Sequence, residues 1–380
     1  MRKIRNIITF LFIIAGMILI SACGSKLDVK NLDTIHELEF GGIYLTMTID
    51  DFNKKGFNYG DSVDIEFTNG YKVNDIPYYN GYYVDAGETL LVGYPGYDYV
   101  KLTLNYGDDY WDIAGIKDGD KESISLNQAL KYKDIQDTMN IQYSDIKGDE
   151  PTYVFANYRM VDVGDIKDNI LYRGASPCDN KHNRAPYVDS LLAEDQINYI
   201  VNLADTPEKI QGYMAKPDFN SPYFRSLYER NTVLLAAPLE KVLPLAMNMN
   251  YKSDEFREKV ASGLKSMLSF TGPYYIHCQE GKDRTGFVLI VIEALLNASY
   301  QDIVDDYMLT YDNYYGITLE TDPLRYNIIK QRNVDAMLKF LIGNENANLA
   351  ETEFSSYIRT YLINGGMTDS EVTQFIHLLS

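Results

Sequence analysis

The sequence predicts a small all-β domain, either a barrel or a sandwich, followed by an α/β domain whose mostly parallel central sheet is flanked by helices. Its 380 residues provide enough chain for two cores, at about 150 residues per domain. Polar and apolar residues alternate in short stretches of the first half, whereas strand-like and helix-like segments alternate from about residue 151. These patterns place the β-rich domain at residues 23–150 and the α/β domain at residues 151–380.

The β-rich domain is predicted from three stretches, at residues 43–49, 62–67 and 99–104, which combine period-two alternation with β-branched and aromatic side chains. Turn sequences rich in Gly, Asn and Pro separate the strand-like stretches; they lie at residues 69–70, 80–81, 94–96 and 117–120. Short strands joined by such turns favour a barrel or a sandwich. This part of the sequence has no His, Cys or carboxylate cluster with ligand spacing, so we expect an accessory role for it.

The α/β domain is predicted from strand-like segments at residues 169–173, 197–203 and 232–236, with a helical stretch at 253–270. Beyond Gly286 the pattern is helical to the end, with breaks at Pro323 and at Gly365-Gly366. Strands that alternate with helices are typical of a parallel sheet covered on its faces.

The amino terminus has the pattern of an export signal. Three basic residues occur within the first five positions, an apolar run extends from Ile7 to Ile20, and Ser21-Ala22 precede Cys23. A basic start, a short apolar run and small residues describe a signal peptide, here residues 1–22. The end of this segment resembles the bacterial lipobox, which implies lipidation of Cys23; the alternative is an uncleaved amino-terminal anchor. Both interpretations predict an extracytoplasmic protein held at the cell membrane.

The charge balance restricts the possible ligands. The formal net charge is -19, so the chain is not expected to bind nucleic acid through a general basic field. Such a chain also repels anionic substrates at long range, and any phosphate site must therefore be made cationic locally.

One segment has the residues and the setting of a phosphate site. Cys278 follows a strand-like stretch that ends at His277, and five residues separate it from Arg284 and Thr285. An apolar run suited to a buried helix follows at 287–296. A short loop at a helix amino terminus directs backbone N–H groups and the helix dipole toward a bound anion. The same field favours the thiolate form of a cysteine, which is the nucleophilic form.

The arginine and the lysine of this segment supply the local positive charge. The planar fork of Arg284 can bind two phosphoryl oxygens, and Lys282 adds a second cation. Loss of the arginine should cost about 2.7–4 kcal/mol of transition-state stabilisation or more, the scale of one lost oxyanion donor. Nothing in the loop requires a metal or another cofactor.

The sequence His-Cys-x-x-Gly-Lys-Asp-Arg-Thr-Gly at 277–286 resembles the signature loop of the protein tyrosine phosphatase superfamily. It is most similar to the bacterial branch of atypical tyrosine and lipid phosphatases, which have dual specificity. Further segments resemble elements of that branch; they lie at residues 157–159, 171–174, 200–203 and 305–309. The resemblance covers roughly residues 151–380.

The resemblance implies a role for each loop residue. Cys278 would be the nucleophile that forms a cysteinyl-phosphate, Arg284 the phosphoryl clamp, and Thr285 a hydrogen-bond donor to the thiolate. Asp283 would be the general acid and then the general base, with Asp205, Asp254 and Asp165 as alternatives. The remaining loop residues would surround the phosphate; they are Gln279, Glu280, Gly281, Lys282 and Gly286.

The resemblance also has departures and open alternatives. Glu280 occupies a position where a small residue is common, and Asn202 departs from the Asp-Leu-Arg pattern of the branch. Cys178 is interpreted either as a small core residue or as a thiol that could form a reversible disulfide with Cys278.

The substrate is expected to be a phosphorylated protein, a phospholipid or an inositol phosphate. The alternatives are an extracytoplasmic inositol polyphosphate phosphatase and a non-catalytic surface lipoprotein that binds phosphorylated ligands.

Overall fold

The computed structural model describes residues 27–229 and 241–380. The predicted signal peptide, its Cys23 and the predicted strand at 232–236 lie outside the described residues. The described chain has two parts, a barrel and an α/β part, and a boundary between domains near residue 150 stays a prediction.

The first part is a closed seven-stranded barrel with strand order β1-β2-β6-β5-β4-β3-β7. Strands β4 and β5 pair in parallel, and the other neighbours are antiparallel. The strands are β1 (Asp28–Glu37), β2 (Gly42–Thr48), β3 (Ser62–Phe67), β4 (Lys72–Tyr79), β5 (Thr89–Val92), β6 (Tyr99–Leu104) and β7 (Lys121–Gln128). The predicted strands at 43–49, 62–67 and 99–104 correspond to β2, β3 and β6.

The barrel interior is filled by the alternating apolar residues of its strands. On β3, Val63, Ile65 and Phe67 are buried and belong to one core cluster, as expected for side chains that face one side of a strand. Three short helices accompany the barrel, α1 (Ile49–Lys54), α2 (Tyr110–Ile113) and α3 (Lys133–Met139).

The second part contains a five-stranded sheet with order β11-β10-β12-β9-β8. Its strands are β8 (Arg159–Met160), β9 (Leu171–Gly174), β10 (Tyr199–Asn202), β11 (Val242–Pro244) and β12 (Tyr274–His277). The pairs β10–β11, β10–β12 and β12–β9 are parallel, and β8 pairs with β9 in antiparallel orientation. Parallel neighbours bring the carboxyl ends of β9, β10 and β12 to the same edge of the sheet.

Helices pack around this sheet. They are α4 (Thr152–Phe155), α5 (Ala185–Glu194), α6 (Pro207–Met214), α7 (Pro222–Tyr228), α8 (Asp254–Met267), α9 (Asp283–Leu295), α10 (Tyr300–Tyr315), α11 (Pro323–Lys330), α12 (Ala336–Ile342), α13 (Ser355–Asn364) and α14 (Asp369–Leu379). A π-helical segment, Gln331–Asp335, joins α11 to α12, and a 3₁₀ turn spans Leu349–Glu351. Helix α9 is the central helix, because every residue from Thr285 to Leu295 is buried. Within the described residues, we find no helix with the length and apolarity needed to cross a membrane.

Candidate active site

The signature loop, residues 278–285, connects the carboxyl end of β12 to the first turn of α9. Cys278 is 3% exposed and follows the strand directly. The first turn of α9 contains Asp283 and Arg284. The structure therefore places the predicted nucleophile and the predicted phosphoryl clamp at the two ends of one short loop at a helix amino terminus.

The carbonyl groups of this loop are turned outward and held by the surrounding protein. The Ser176 N–H donates to the carbonyl of Gln279 at 3.0 Å. The Tyr314 hydroxyl donates to the carbonyl of Glu280 at 2.6 Å, and Arg173 Nη2 donates to the carbonyl of Gly281 at 3.0 Å. In a trans peptide the C=O and the following N–H point in opposite directions. The N–H groups of the next three residues therefore point into the loop, as in an anion-binding nest.

Gly281 permits the turn that this arrangement requires. Its φ is +68°, in the left-handed region that favours glycine. A Cβ atom there would lie 2.2 Å from the carbonyl oxygen of Gly174 on β9. The loop and the neighbouring strand consequently lie too close together at this point for any side chain larger than that of glycine.

A buried ionic cluster lies behind the loop. Arg173 and Arg159 both bind the carboxylate of Asp306 on α10. Burial opposes ionisation of Asp306, but the two guanidinium groups outweigh it and hold the pKa of that carboxyl well below its usual value. Burial, together with the charge of Asp306, raises the pKa of Glu293 well above its usual value and so favours its protonated form. The cluster fixes Arg173, which in turn holds the carbonyl of Gly281.

His277 is a structural support of the loop. Its Nδ1 lies 2.9 Å from the carbonyl oxygen of Cys278 and donates to it. Burial lowers the pKa of His277 to about 4, so the imidazole is neutral near pH 7. This contact gives His277 a part in ordering the loop rather than in proton transfer.

The predicted phosphoryl clamp, Arg284, and the predicted hydrogen-bond donor, Thr285, lie in the first turn of α9. Arg284 is half-buried, and its Nη1 donates to the carbonyl of Met247 at 3.0 Å. Thr285 is fully buried, and its hydroxyl has no hydrogen-bond partner among the residues that the structure describes. Gly286 follows, where a Cβ atom would lie 2.4 Å from the ring of Tyr307. Gln279, at the other end of the loop, donates to the carboxylate of Asp179 at 3.0 Å.

Three of the four charged residues of the loop, Glu280, Lys282 and Asp283, form one chain of contacts. Lys282 Nζ lies 3.2 Å from a carboxylate oxygen of Glu280 and 3.9 Å from one of Asp283. The Asp283 side chain is 49% exposed, but the walls of a concave pocket surround it. Desolvation by the pocket that Asp283 lines raises the pKa of this carboxyl, and the charge of Lys282 opposes the shift. A raised pKa favours the protonated carboxyl that a general acid needs.

The three alternative acids lie in different settings. Asp205 is buried at the end of β10, where it accepts from Asn202 Nδ2 at 3.0 Å and from the Tyr213 hydroxyl at 3.3 Å. Asp254 is a largely exposed residue in the first turn of α8. Asp165 accepts from Asn297 just beyond α9; since α9 has 13 residues, this is on the order of 20 Å from the loop.

Cys178 is a free, buried thiol, as is Cys278. Cys178 Sγ lies 3.9 Å from a carboxylate oxygen of Asp205 and 3.5 Å from the Ser176 hydroxyl. Burial, reinforced by Asp205, raises the pKa of the Cys178 thiol, so this cysteine is an unreactive core group near neutral pH.

The segment that connects the barrel to the α/β part passes over the loop. The Tyr143 hydroxyl donates to Glu280 Oε1 at 2.7 Å, and the Tyr143 ring stacks on Tyr314 at 4.8 Å between centroids. Arg184 fixes the neighbouring residues by donating to the carbonyl of Ser144 at 2.7 Å. Burial favours the neutral form of Glu280, but the charge of Lys282 and the hydrogen bond from Tyr143 outweigh it and lower the pKa of this carboxyl. Glu280 is therefore an anion. No short motif contains Tyr143, Tyr314 or Arg184, so the amino-acid sequence alone does not reveal that they surround the loop.

Within residues 27–229 and 241–380, no group of three or more His, Cys, Asp or Glu side chains is arranged so that it could hold a metal ion.

Residues 155–379 match the sequence model of the tyrosine phosphatase family. This match covers more than half of the chain, which therefore belongs to that family. The chain is thus a phosphatase, a hydrolase whose substrates carry phosphate groups. It has no match among curated proteins.

Solved structures with some similarity include the core catalytic domain of the PP-IP phosphatase SIW14 from S. cerevisiae, in complex with citrate. That chain is 19% identical over 48% of this chain and 88% of its own length, with a TM-score of 0.27. An uncharacterized conserved protein from Thermotoga maritima is 22% identical over 27% of this chain, with a TM-score of 0.22. The chain spans only 37% of the Thermotoga maritima protein.

Proposed function

We propose that the protein hydrolyses phosphate monoesters through a cysteinyl-phosphate formed on Cys278. The observation that carries this proposal is the loop geometry, in which N–H groups converge beside the sulfur-bearing residue at the start of α9. In the first step, Cys278 Sγ attacks phosphorus while the bond from phosphorus to the leaving oxygen breaks. The leaving oxygen takes its proton from Asp283. Arg284 and the inward N–H groups bind the phosphoryl oxygens as charge develops on them.

In the second step, water hydrolyses the cysteinyl-phosphate, and Asp283 acts as the base. A water oxygen attacks phosphorus, the Asp283 carboxylate takes a proton from that water, and the bond between phosphorus and sulfur breaks. Inorganic phosphate leaves, and the Cys278 thiolate is restored. The buried Thr285 hydroxyl is available to donate to the sulfur as the thiolate forms. The raised pKa of Asp283 supports its assignment as the acid over Asp254, which is largely exposed, and over Asp165, which lies beyond the other end of α9.

The covalent intermediate is the direct test of this proposal. The Asp283→Asn variant should hydrolyse the intermediate slowly, because it lacks the base for the second step. After acid quenching during turnover of an aryl phosphate, mass spectrometry should find one phosphoryl group on the peptide that contains Cys278. The Cys278→Ser variant is the control and should give no sulfur-linked adduct. A phosphoryl group on another residue, or turnover without any adduct, would contradict the mechanism.

The location of the protein is proposed from its first residues. We propose that Cys23 is lipidated after removal of residues 1–22, which places the enzyme outside the cytoplasm on the membrane. Metabolic labelling with a fatty-acid analogue tests this directly. The wild-type chain should incorporate label, and the Cys23→Ala variant should not.

A further inference from the structure

A pocket of about 310 Å³ lies between the barrel and the signature loop. Lys282 and Asp283 form one side of it, and the barrel supplies another through Tyr82, Tyr83 and Asp85. These barrel residues belong to the connection between β4 and β5. Its volume is near the lower end of the range of small-molecule sites, about 300–1,000 Å³. The barrel, which the sequence predicts to be accessory, therefore reaches the edge of the site.

Arg332 holds the barrel connection in place. Its Nη2 donates to the carbonyl of Tyr83 at 2.8 Å, and the same nitrogen lies 3.7 Å from a carboxylate oxygen of Asp85. Arg332 is part of the π-helical segment between α11 and α12, and such segments are frequent at functional sites. The wall that the barrel contributes is thus fixed to the α/β part through a side chain that itself lines the pocket.

The position of the acid determines which part of a substrate enters this pocket. A general acid must lie within hydrogen-bond reach of the oxygen that it protonates. If Asp283 protonates the leaving oxygen, the group attached to that oxygen must lie beside Asp283. Asp283 lines the pocket, so the leaving group would occupy a pocket that Tyr82 and Tyr83 of the barrel also line.

The lining of the pocket indicates the kind of leaving group. Seven tyrosines and three methionines line it: Tyr82, Tyr83, Tyr106, Tyr251, Tyr307, Tyr311, Tyr315, Met139, Met249 and Met337. Its two cations already have anionic neighbours, since Lys282 pairs with Glu280 and Arg332 lies beside Asp85. Aromatic rings and thioethers favour contact with an aromatic group, whereas further phosphates would need cations that lack partners.

We propose that the barrel supplies the leaving-group wall of the active site, and that Tyr83 and Asp85 are specificity-determining residues that favour an aromatic leaving group over one with additional phosphates. This inference rests on the proposed function, because it uses Asp283 as the acid. Tyr83 provides the aromatic contact. Asp85 compensates the charge of Arg332 and so removes the attraction that a second phosphate would otherwise find.

The test compares kcat/KM for three substrates: para-nitrophenyl phosphate, a phosphoserine peptide and an inositol polyphosphate. Tyr83→Ala should lower the ratio of aryl to phosphoserine turnover about tenfold, which corresponds to about 1.4 kcal/mol. Asp85→Asn should raise the ratio of inositol polyphosphate to aryl turnover several-fold, because it leaves the Arg332 charge uncompensated. The matched controls are Tyr357→Ala, an exposed tyrosine on α13, and Asp118→Asn, an exposed aspartate in a barrel turn; both should leave the ratios unchanged.

The outcomes separate this inference from the proposed function. If wild-type enzyme turns over the aryl phosphate in a Cys278-dependent manner but both ratios stay unchanged in folded Tyr83→Ala and Asp85→Asn variants, the barrel is not part of the substrate site. Equal losses for all three substrates would likewise overturn the inference, since they indicate a structural role. Absence of Cys278-dependent turnover in the wild-type chain would instead refute the proposed function. Thermal unfolding of each variant establishes that it is folded.

Discussion

Arg173 on β9 donates a hydrogen bond to the carbonyl oxygen of Gly281, 108 residues further along the chain, at 3.0 Å. The same guanidinium binds Asp306, so one buried side chain joins the ionic cluster to the phosphate-binding loop. The orientation of the Gly281 carbonyl decides the orientation of the next N–H group. The loop geometry on which the proposed anion site depends is therefore held in part by a side chain from strand β9.

Replacing Arg173 by methionine should damage both stability and phosphate binding. Breaking a buried ion pair by removing one partner costs about 3–5 kcal/mol, and the Gly281 carbonyl would also lose its donor. Urea unfolding and phosphate affinity measure the two effects. Arg359→Met is the control, because the Arg359–Asp369 pair is exposed to solvent and exposed pairs contribute little. Unchanged phosphate affinity in a folded Arg173→Met variant would show that the loop keeps its shape without this contact.

Cys278→Ser should abolish turnover of aryl phosphates while leaving inorganic phosphate binding measurable. The hydroxyl is a far weaker nucleophile than a thiolate, but the N–H groups and Arg284 that bind the anion remain. Steady-state kinetics and isothermal titration with phosphate test the two halves of this prediction. Cys178→Ser is the matched control and should retain activity, since that thiol lies in the core beside Asp205. Residual turnover near the wild-type level would remove Cys278 from the mechanism.

Asp283→Asn should slow the hydrolysis of poor leaving groups far more than that of good ones. General acid catalysis contributes about 10²–10⁴-fold, and good leaving groups need it least. The raised pKa of Asp283 also predicts a pH effect. The acid form acts in the first step, so kcat/KM should fall as pH rises through that pKa. A pH series with two aryl phosphates measures this; the decline should be absent in the variant. Equal losses for both substrates would assign the acid to another residue.

Glu293→Gln should stabilise the protein as pH rises. The pKa of Glu293 is raised in the folded state. Folding at a pH above 4.5, the ordinary pKa of this group, is therefore accompanied by uptake of a proton. This contribution to the free energy of unfolding is fully present below pH 4.5. It is lost as the pH rises toward the folded-state pKa, by about 1.4 kcal/mol per pH unit. Glutamine needs no proton, so its advantage should grow between mildly acidic and neutral pH. Denaturant unfolding at several pH values measures the difference. A difference independent of pH would mean that Glu293 is ionised in the folded protein.

The signature loop could be predicted from the sequence because its functional residues are contiguous. A strand, a cysteine, an arginine at the required spacing and an apolar helix follow one another within residues 273–296, so local pattern suffices. Strands β2, β3 and β6 could also be predicted from the sequence, because apolar and polar residues alternate along them. Strand β1 could not be recognised in this way, because most of its ten residues are exposed or half-exposed. Strand β11 has only three residues, too few to display a period.

The surroundings of the loop could not be predicted, because they come from distant parts of the chain. Tyr143 reaches Glu280 across 137 residues, and Arg332 reaches Tyr83 across 249. Such contacts depend on how the barrel and the helices pack against one another. Barrel closure depends in the same way on the pairing of β1 with β7, which are far apart in the sequence. The sequence also did not predict that Glu280 offsets the positive charge of Lys282, because this contact depends on the directions of the two side chains within the loop.

The position of Tyr143 has a practical consequence for anyone who wishes to study a minimal enzyme. A polypeptide trimmed to begin at residue 151 would keep every residue of the family match but would lose the phenol that covers Glu280. Glu280 would keep its contact with Lys282 but lose the hydrogen bond from the Tyr143 hydroxyl. Kinetic constants obtained from such a fragment would describe a site that lacks both the Tyr143 contact and the barrel residues Tyr83 and Asp85 beside the pocket.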